Sequence, residues 1–195
     1  MIPPLPVGAR LVGLTGAPGV GKTTLAASLG LPVVPMDGFH YADVELVRRG
    51  LRERKGAPET FDADGYAALL ARVRAGEPDV VAPSFDRDLE QPLAGAVWVP
   101  PSGTVVTEGN YLLLDEPRWR AVRLHLDEVW HLRLPDDVRR ERLVARHVAS
   151  GKSPAAAREW VERVDEPNAA LVEAAASRAD HVVDLDGWAR RTVGP

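Results

Sequence analysis

The sequence predicts an α/β fold in which a mostly parallel central sheet is flanked by helices. Two observations support this prediction. Short apolar segments that are typical of buried strands alternate along the chain with longer segments of helical periodicity. A glycine-rich turn also joins the first predicted strand, residues 10–14, to the first predicted helix, residues 22–29. Because ligands of parallel sheets bind at the carboxyl ends of the strands, residues that follow strands are the functional candidates.

The remaining segments continue this alternation. Further strands are predicted at 31–36, 80–83, 96–99, 104–107, 129–134 and 181–184. Prolines in the segment 31–36 indicate either a strand near a sheet edge or one that pairs only in part. Further helices are predicted at 41–49, from Asp62 or Asp64 to Gly76, at 117–126, at 135–149, from Ser153 to a break at Pro167, and from an Asn168 cap to about 179.

The composition narrows the class of protein. The chain has 195 residues, of which 45% are hydrophobic, so residues 1–195 fit a single globular domain. Its net charge of −4 argues against nucleic acid or an anionic membrane as a partner, and the absence of cysteine excludes thiolate chemistry. The N-terminus lacks signal-peptide features, and no apolar stretch approaches the ~20 residues of a membrane span. A soluble cytoplasmic protein is expected.

The turn after the first strand has the spacing G-x-x-x-x-G-K-[ST] of a phosphate-binding loop. Its residues, all candidates for nucleotide binding, are Gly16, Ala17, Pro18, Gly19, Val20, Gly21, Lys22, Thr23 and Thr24. Glycines allow the backbone to point its N–H groups at an anionic phosphate. Lys22 can reach the terminal phosphates, and the Thr23 hydroxyl can bind Mg²⁺. The alternative is a turn that binds nothing, which the strand–loop–helix context disfavours.

Two acidic residues follow predicted strands. Asp37 comes after the segment 31–36, and Glu108 comes after the segment 104–107. Phosphoryl transfer to a hydroxyl needs a carboxylate that accepts or orients the hydroxyl proton, and an acid at the same edge can hold Mg²⁺. Asp37 could instead belong to a simple Asp-Gly turn, and Glu108 could be an exposed strand-end acid. The nearby phosphate loop favours the catalytic and metal-binding roles.

Three arginines share one face of the predicted helix 135–149. Arg139, Arg142 and Arg146 follow the spacing i, i+3, i+7. Such a stripe is either a solvated helix face or part of a lid, about residues 135–153, that supplies positive charge to a transferring phosphoryl group. If the helix is a lid, Arg139 should contribute least to the rate of phosphoryl transfer, because it lies nearest the start of the helix.

Several blocks of sequence together resemble the phosphoribulokinase/uridine kinase family, near type I pantothenate kinases and bacterial nucleoside-kinase-like proteins. The blocks are the phosphate loop, 36–40, 54–62 and 108–113, and the segments 160–168 and 177–180 are similar to the pantothenate-kinase end of the family. The likeness spans roughly residues 10 to 185. It implies a P-loop NTPase fold with a helical lid.

The resemblance also implies roles for individual residues. The catalytic residues would be Asp37 as the base, Lys22, and the lid residues Arg142 and Arg146. Mg²⁺ would be held by Thr23, Asp37 and Glu108. The acceptor would be bound by Asp37, Phe39, His40, Lys55, Asp62, Phe85, Arg87, Asn110 and Asn168. Arg87 departs from the family pattern, because nucleoside kinases tend to place an aromatic residue there.

The expected function is that of an ATP- and Mg²⁺-dependent kinase that phosphorylates a hydroxyl of a small metabolite. A nucleoside, a pantothenate-like acid and a sugar all remain open as acceptors, and a homodimer is possible. The alternative class is a regulatory nucleotide-binding protein, either a GTPase-like switch or a non-catalytic ATP-binding module. A switch would need a guanine-reading N-K-x-D stretch, which the sequence lacks.

Overall fold

The computed structural model describes residues 2–186. The strands are β1 (Leu11–Thr15), β2 (Val33–Pro35), β3 (Val80–Asp86), β4 (Gln91–Val99), β5 (Val105–Glu108), β6 (Glu128–Arg133) and β7 (His181–Asp184). The helices are α1 (Lys22–Ser28), α2 (Asp43–Arg48), α3 (Ala63–Arg74), α4 (Pro117–Arg123), α5 (Asp136–Ala149), α6 (Pro154–Trp160) and α7 (Glu166–Ala174).

Five of the strands form a parallel sheet in the order β2-β5-β1-β6-β7. β1 lies in the middle and is buried along its whole length. Alternate residues of β1 point to opposite faces, so Leu11 packs into one apolar cluster while Val12 and Leu14 pack into another. Helices α3 and α4 contribute to the first cluster and α1 to the second. The predicted α/β class is confirmed, as is the edge position of β2.

The strands β3 and β4 lie outside the parallel sheet. They pair with each other as an antiparallel hairpin, with an irregularity in register between Ala82 and Ser84. The sequence indicated only short strands here, at 80–83 and 96–99. The longer hairpin was missed because Pro83, Pro92 and Gly95 are unfavourable to strands, and a two-stranded ribbon tolerates them at its open edges.

The predicted helix break at Pro167 is wrong. The chain continues from α6 into α7 through one π-helical turn at Val161–Asp165, in which the Glu166 N–H bonds to the Val161 carbonyl. Pro167 lies in the first turn of α7, where a missing N–H costs little. Asn168 is accordingly not a helix cap but a buried residue inside α7, 6% exposed.

Within residues 2–186, no helix is both long and apolar enough to cross a membrane.

Candidate active site

The phosphate loop connects β1 to α1 at the carboxyl edge of the sheet, and its glycines are required by geometry. Gly16 has φ 151° and Gly19 has φ 82°, values that residues with a side chain rarely adopt. A Cβ atom at Gly16 would lie 2.7 Å from the Leu132 carbonyl oxygen, and one at Gly19 would lie 2.7 Å from Leu143 Cγ. The loop backbone is therefore packed tightly against β6 and α5.

Lys22 begins α1 and folds back over the loop. Its Nζ donates to the carbonyl oxygens of Gly16 at 2.8 Å and Ala17 at 3.2 Å. Burial lowers the pKa of Lys22 to about 8, although Glu108 and Asp37 nearby favour the charged form. An anionic phosphate within reach of Nζ would restore the ordinary pKa, so this ammonium group is suited to binding one.

Thr23 and Glu108 are brought together as expected for two ligands of one cation. The Thr23 hydroxyl donates to Glu108 Oε1 at 3.1 Å. Glu108 ends β5, which pairs with β1 in a register that sets Glu108 against Leu14, just before the loop. Burial, together with the nearby Asp37 carboxylate, raises the pKa of Glu108 to about 7, although Lys22 favours the charged form. A divalent cation beside these carboxylates would offset this penalty, so the donor set fits Mg²⁺.

Asp37 lies in a short 3₁₀ turn, Met36–Phe39, directly after β2. Since β2 pairs with β5 and sets Pro35 against Glu108, the Asp37 and Glu108 carboxylates are neighbours. Gly38 permits the turn to touch the hairpin, because a Cβ there would lie 2.4 Å from the Pro83 carbonyl oxygen. Across this contact, Arg87 Nη2 lies 3.9 Å from Asp37 Oδ2.

Next to Asp37 stands an aromatic wall formed by His40, Phe61 and Phe85. The His40 ring lies 3.9 Å from the Phe61 centroid and 4.9 Å from the Phe85 centroid. Burial lowers the pKa of His40, and its Nδ1 is 2.8 Å from the Asp37 carbonyl oxygen. Lys55 lies 5.4 Å from the centre of the Phe85 ring and is held by Asp43 at 2.8 Å.

Other residues predicted to bind the acceptor have structural contacts in this state. Asp62 caps α3 by accepting the Gly65 N–H at 3.1 Å. Phe39 is 8% exposed and packs on Tyr66 in the core beneath the site. The Asn168 amide donates to the Gly56 carbonyl at 3.3 Å, and thus holds the segment that precedes the aromatic wall. Asn110 follows β5, and its carbonyl accepts the Thr15 hydroxyl at 2.9 Å.

The three arginines of α5 do not share one solvated face. Arg139 is 2% exposed, and its guanidinium contacts Glu166 at 2.5 Å, Asp136 at 3.2 Å and the Pro18 carbonyl at 3.2 Å. Arg142 is half-buried, with Nη1 3.9 Å from the position that a Cβ of Gly21 would occupy. Arg146 is exposed at the other end of the stripe, within electrostatic reach of Asp165, Arg87 and Asp37.

Sequence reasoning missed the role of Arg139 as the anchor of the phosphate loop. Its partner Glu166 lies in α7, and the two segments are joined by the π-helical turn that the sequence did not reveal. A second missed contact follows the same path, since His147 Nε2 of α5 lies 2.8 Å from the Asp165 carboxylate in that turn. The spacing of these residues gives no signal, because they meet only through the packing of α5 on the turn.

The fold and the phosphate loop define a P-loop protein, and comparison with known proteins narrows this class to kinases. No protein-family model matches the chain. It is 36% identical over 172 residues to a candidate uridine kinase of Schizosaccharomyces pombe, covering 80% of this chain and 73% of that protein. It is also 36% identical over 99 residues to a pantothenate kinase of Limosilactobacillus reuteri, covering 43% of this chain and 32% of that enzyme.

A solved structure agrees with these relatives. A candidate fructose transport system kinase from Silicibacter sp. TM1040 is 40% identical, with a TM-score of 0.81 over 93% of this chain and 92% of that chain. The chain belongs to the phosphoribulokinase/uridine kinase family of P-loop kinases. The resemblance noted in the sequence is thereby confirmed, and the family implies use of a nucleotide and a small-molecule substrate.

Replacing Arg139 with Met should destabilise the protein by roughly 2 kcal/mol, because it removes a buried guanidinium and its hydrogen bonds to the Pro18 carbonyl and the Glu166 carboxylate. Arg140 is a matched control: it binds the same Glu166 carboxylate at 2.6 Å but is 54% exposed. Arg140→Met should cost under about 1 kcal/mol, as is usual for a surface ion pair. Urea unfolding of both variants provides the comparison, and equal small losses would show that the Arg139 contacts contribute little.

Glu108→Gln should change how stability depends on pH. A glutamate pKa raised to about 7 means that the folded chain binds more protons than the unfolded chain between the ordinary pKa and pH 7. Stability of the parent should therefore fall as pH rises through that window, and the Gln variant should lack this component. Melting temperatures from pH 5 to pH 8 measure it, with the exposed Glu77→Gln as control. Parallel curves for parent and Glu108→Gln would contradict a raised pKa.

Proposed function

We propose that the protein transfers the γ-phosphoryl group of ATP to a hydroxyl of a small metabolite, with Mg²⁺. The observation that carries this proposal is the convergence of Lys22, the Thr23–Glu108 pair and the Asp37 carboxylate at one edge of the sheet. A phosphate-binding loop alone would serve any nucleotide-binding protein. A second carboxylate beside the metal-binding pair is what transfer to a hydroxyl additionally needs.

The phosphate side of the reaction is served by the loop and α1. Loop N–H groups and the N-terminus of α1 bind the phosphate chain, and Lys22 exchanges its contacts with Gly16 and Ala17 for phosphate oxygens. Thr23 and Glu108 would hold Mg²⁺, which when bound neutralises charge on the phosphates and on the leaving group. Arg142 and Arg146 project from α5 and add positive charge as it closes over the loop.

The acceptor side is served by Asp37 and the aromatic wall. The hydroxyl oxygen forms a bond to the γ-phosphorus, the bond from that phosphorus to ADP breaks, and the hydroxyl proton passes to the Asp37 carboxylate. His40 and Phe85, which are half-buried, would exclude water from one side of the acceptor, with Phe61 packed behind His40 in the core, and this would limit competing hydrolysis of ATP. Asp62 and Asn110 lie at the neighbouring chain segments and offer oxygen atoms to further acceptor hydroxyls.

Asp37→Asn should lower turnover by roughly 10²-fold or more while ATP affinity changes little, because the amide cannot accept the hydroxyl proton. Lys22→Ala provides the contrast, since it should weaken ATP binding as well as turnover. A coupled ADP-release assay over a panel of nucleosides, sugars and hydroxy acids first identifies an acceptor, and titration with ATP measures affinity. Near-parental turnover in Asp37→Asn would make Asp37 a turn residue, and unchanged ATP affinity in Lys22→Ala would refute the nucleotide site.

Arg142→Ala and Arg146→Ala should lower kcat more than they raise the KM for ATP, since lid arginines act mainly as charge redistributes in the transition state. The loss can reach ~10³-fold. The exposed Arg158→Ala on α6 is a matched control and should behave as the parent. Steady-state kinetics of the three variants distinguish the alternatives: unchanged kcat in both α5 variants would mean that α5 is not a lid but a passive helix of a nucleotide-binding module.

A further inference from the structure

Arg87 is a cation on the acceptor side of the site whose charge is not matched by a close partner. Within residues 2–186, its one carboxylate neighbour is Asp37 at 3.9 Å, which is beyond hydrogen-bonding distance. The side chain is 58% exposed and approaches Asp37 from the hairpin. Because the Asp37 carboxylate is itself a neighbour of Glu108, the Arg87 guanidinium lies on the same side of the site as these two carboxylates.

The turn that carries Arg87 is held in a fixed position. Asp86 Oδ1 accepts the N–H groups of Asp88 and Leu89, both at 2.9 Å, so the turn between β3 and β4 is closed by its own side chain. Lys55 is nine-tenths buried and donates to the Glu90 carbonyl at the other end of the turn. Arg87 is thus presented from a rigid support, as expected of a residue that binds a ligand.

Two other basic side chains on the acceptor side, Lys55 and Arg118, are held by close ion pairs. Lys55 bonds to Asp43 at 2.8 Å, and Arg118 bonds to Asp64 at 2.8 Å. Arg142 and Arg146 belong to α5, and the nearer of them to the loop, Arg142, lies beside Gly21. Within residues 2–186, Arg87 has no ion pair closer than 3.9 Å, so unlike Lys55 and Arg118 it can bind a ligand without first breaking a close ion pair.

We propose that the acceptor carries an anionic group, a carboxylate or a phosphate, and that Arg87 binds this group through its guanidinium. The inference rests on the proposed kinase function and adds the substrate class. A planar guanidinium matches either oxyanion by paired hydrogen bonds. When the anion engages Arg87, the attraction between Arg87 and Asp37 is reduced, and the Asp37 carboxylate is left to accept the acceptor hydroxyl.

The proposal is tested with pairs of acceptors that differ in the anionic group. The pairs are gluconate and glucose, pantothenate and pantothenol, and fructose 6-phosphate and fructose, assayed by ADP release with the Lys22→Ala variant as the blank. We expect turnover of an anionic member in preference to its neutral counterpart, and the carboxylate and phosphate pairs show which oxyanion is used. A preferred acceptor without negative charge would overturn this inference while leaving the kinase proposal intact.

Variants of Arg87 then show where the discrimination arises. Arg87→Gln should lower kcat/KM for the anionic acceptor by about 10²-fold, mostly through KM, because the oxyanion loses its charged partner. Arg87→Lys should restore part of it, and Arg72→Gln, an exposed arginine on α3, should match the parent. A fall in kcat for every acceptor at unchanged KM would assign Arg87 to the phosphoryl group instead. Absence of any Lys22-dependent ADP release would overturn the kinase proposal and this inference together.

Discussion

The candidate site depends on two ionisable side chains that the fold buries. Lys22 and Glu108 lie beside each other at the loop, and burial disfavours the charged form of both, lowering one pKa to about 8 and raising the other to about 7. Each would be relieved by a component of a magnesium–nucleotide complex, the ammonium by phosphate and the carboxylate by the metal. Binding energy is therefore available where charge changes during reaction, which is where electrostatic catalysis requires it.

The phosphate loop must be held in a fixed conformation, and the contacts that hold it come from α5 and α7. Arg139 contacts the Pro18 carbonyl in the loop and the Glu166 carboxylate in α7, so one buried guanidinium joins the loop, α5 and α7. Leu143 fills the space left by Gly19 on the same face. The arginine stripe thus divides along the helix: Arg139 is buried and structural, Arg142 lies beside Gly21 of the loop, and Arg146 is exposed.

The extent to which the sequence predicted these features follows from how local each one is. The loop between β1 and α1, the acids at the strand ends and the start of α3 depend on residues close in sequence or on sheet register. The structure has the loop and the acids at the predicted positions, and of the two predicted caps, Asp62 and Asp64, it is Asp62 that caps α3. The π-helical turn and the Arg139–Glu166 pair depend on packing between segments 27 positions apart, for which no local pattern exists. A proline within a helical segment predicts a break, and the sequence does not show that a π-helical turn before Pro167 lets the helix continue.

The chain also separates the two halves of the chemistry. The residues proposed to bind the phosphates lie on the loop after β1, on α1 and at the end of β5, all part of the parallel sheet and its first crossover. The residues proposed to bind the acceptor lie on segments outside the middle of that sheet, namely the turn after β2, the stretch to α3, and the β3–β4 hairpin. Changes in those segments leave the sheet register untouched, so acceptor chemistry can diverge among relatives while phosphate chemistry is retained. The hairpin carries Arg87 and Phe85, so under the proposed function it is the element in which such divergence would act most directly on the acceptor.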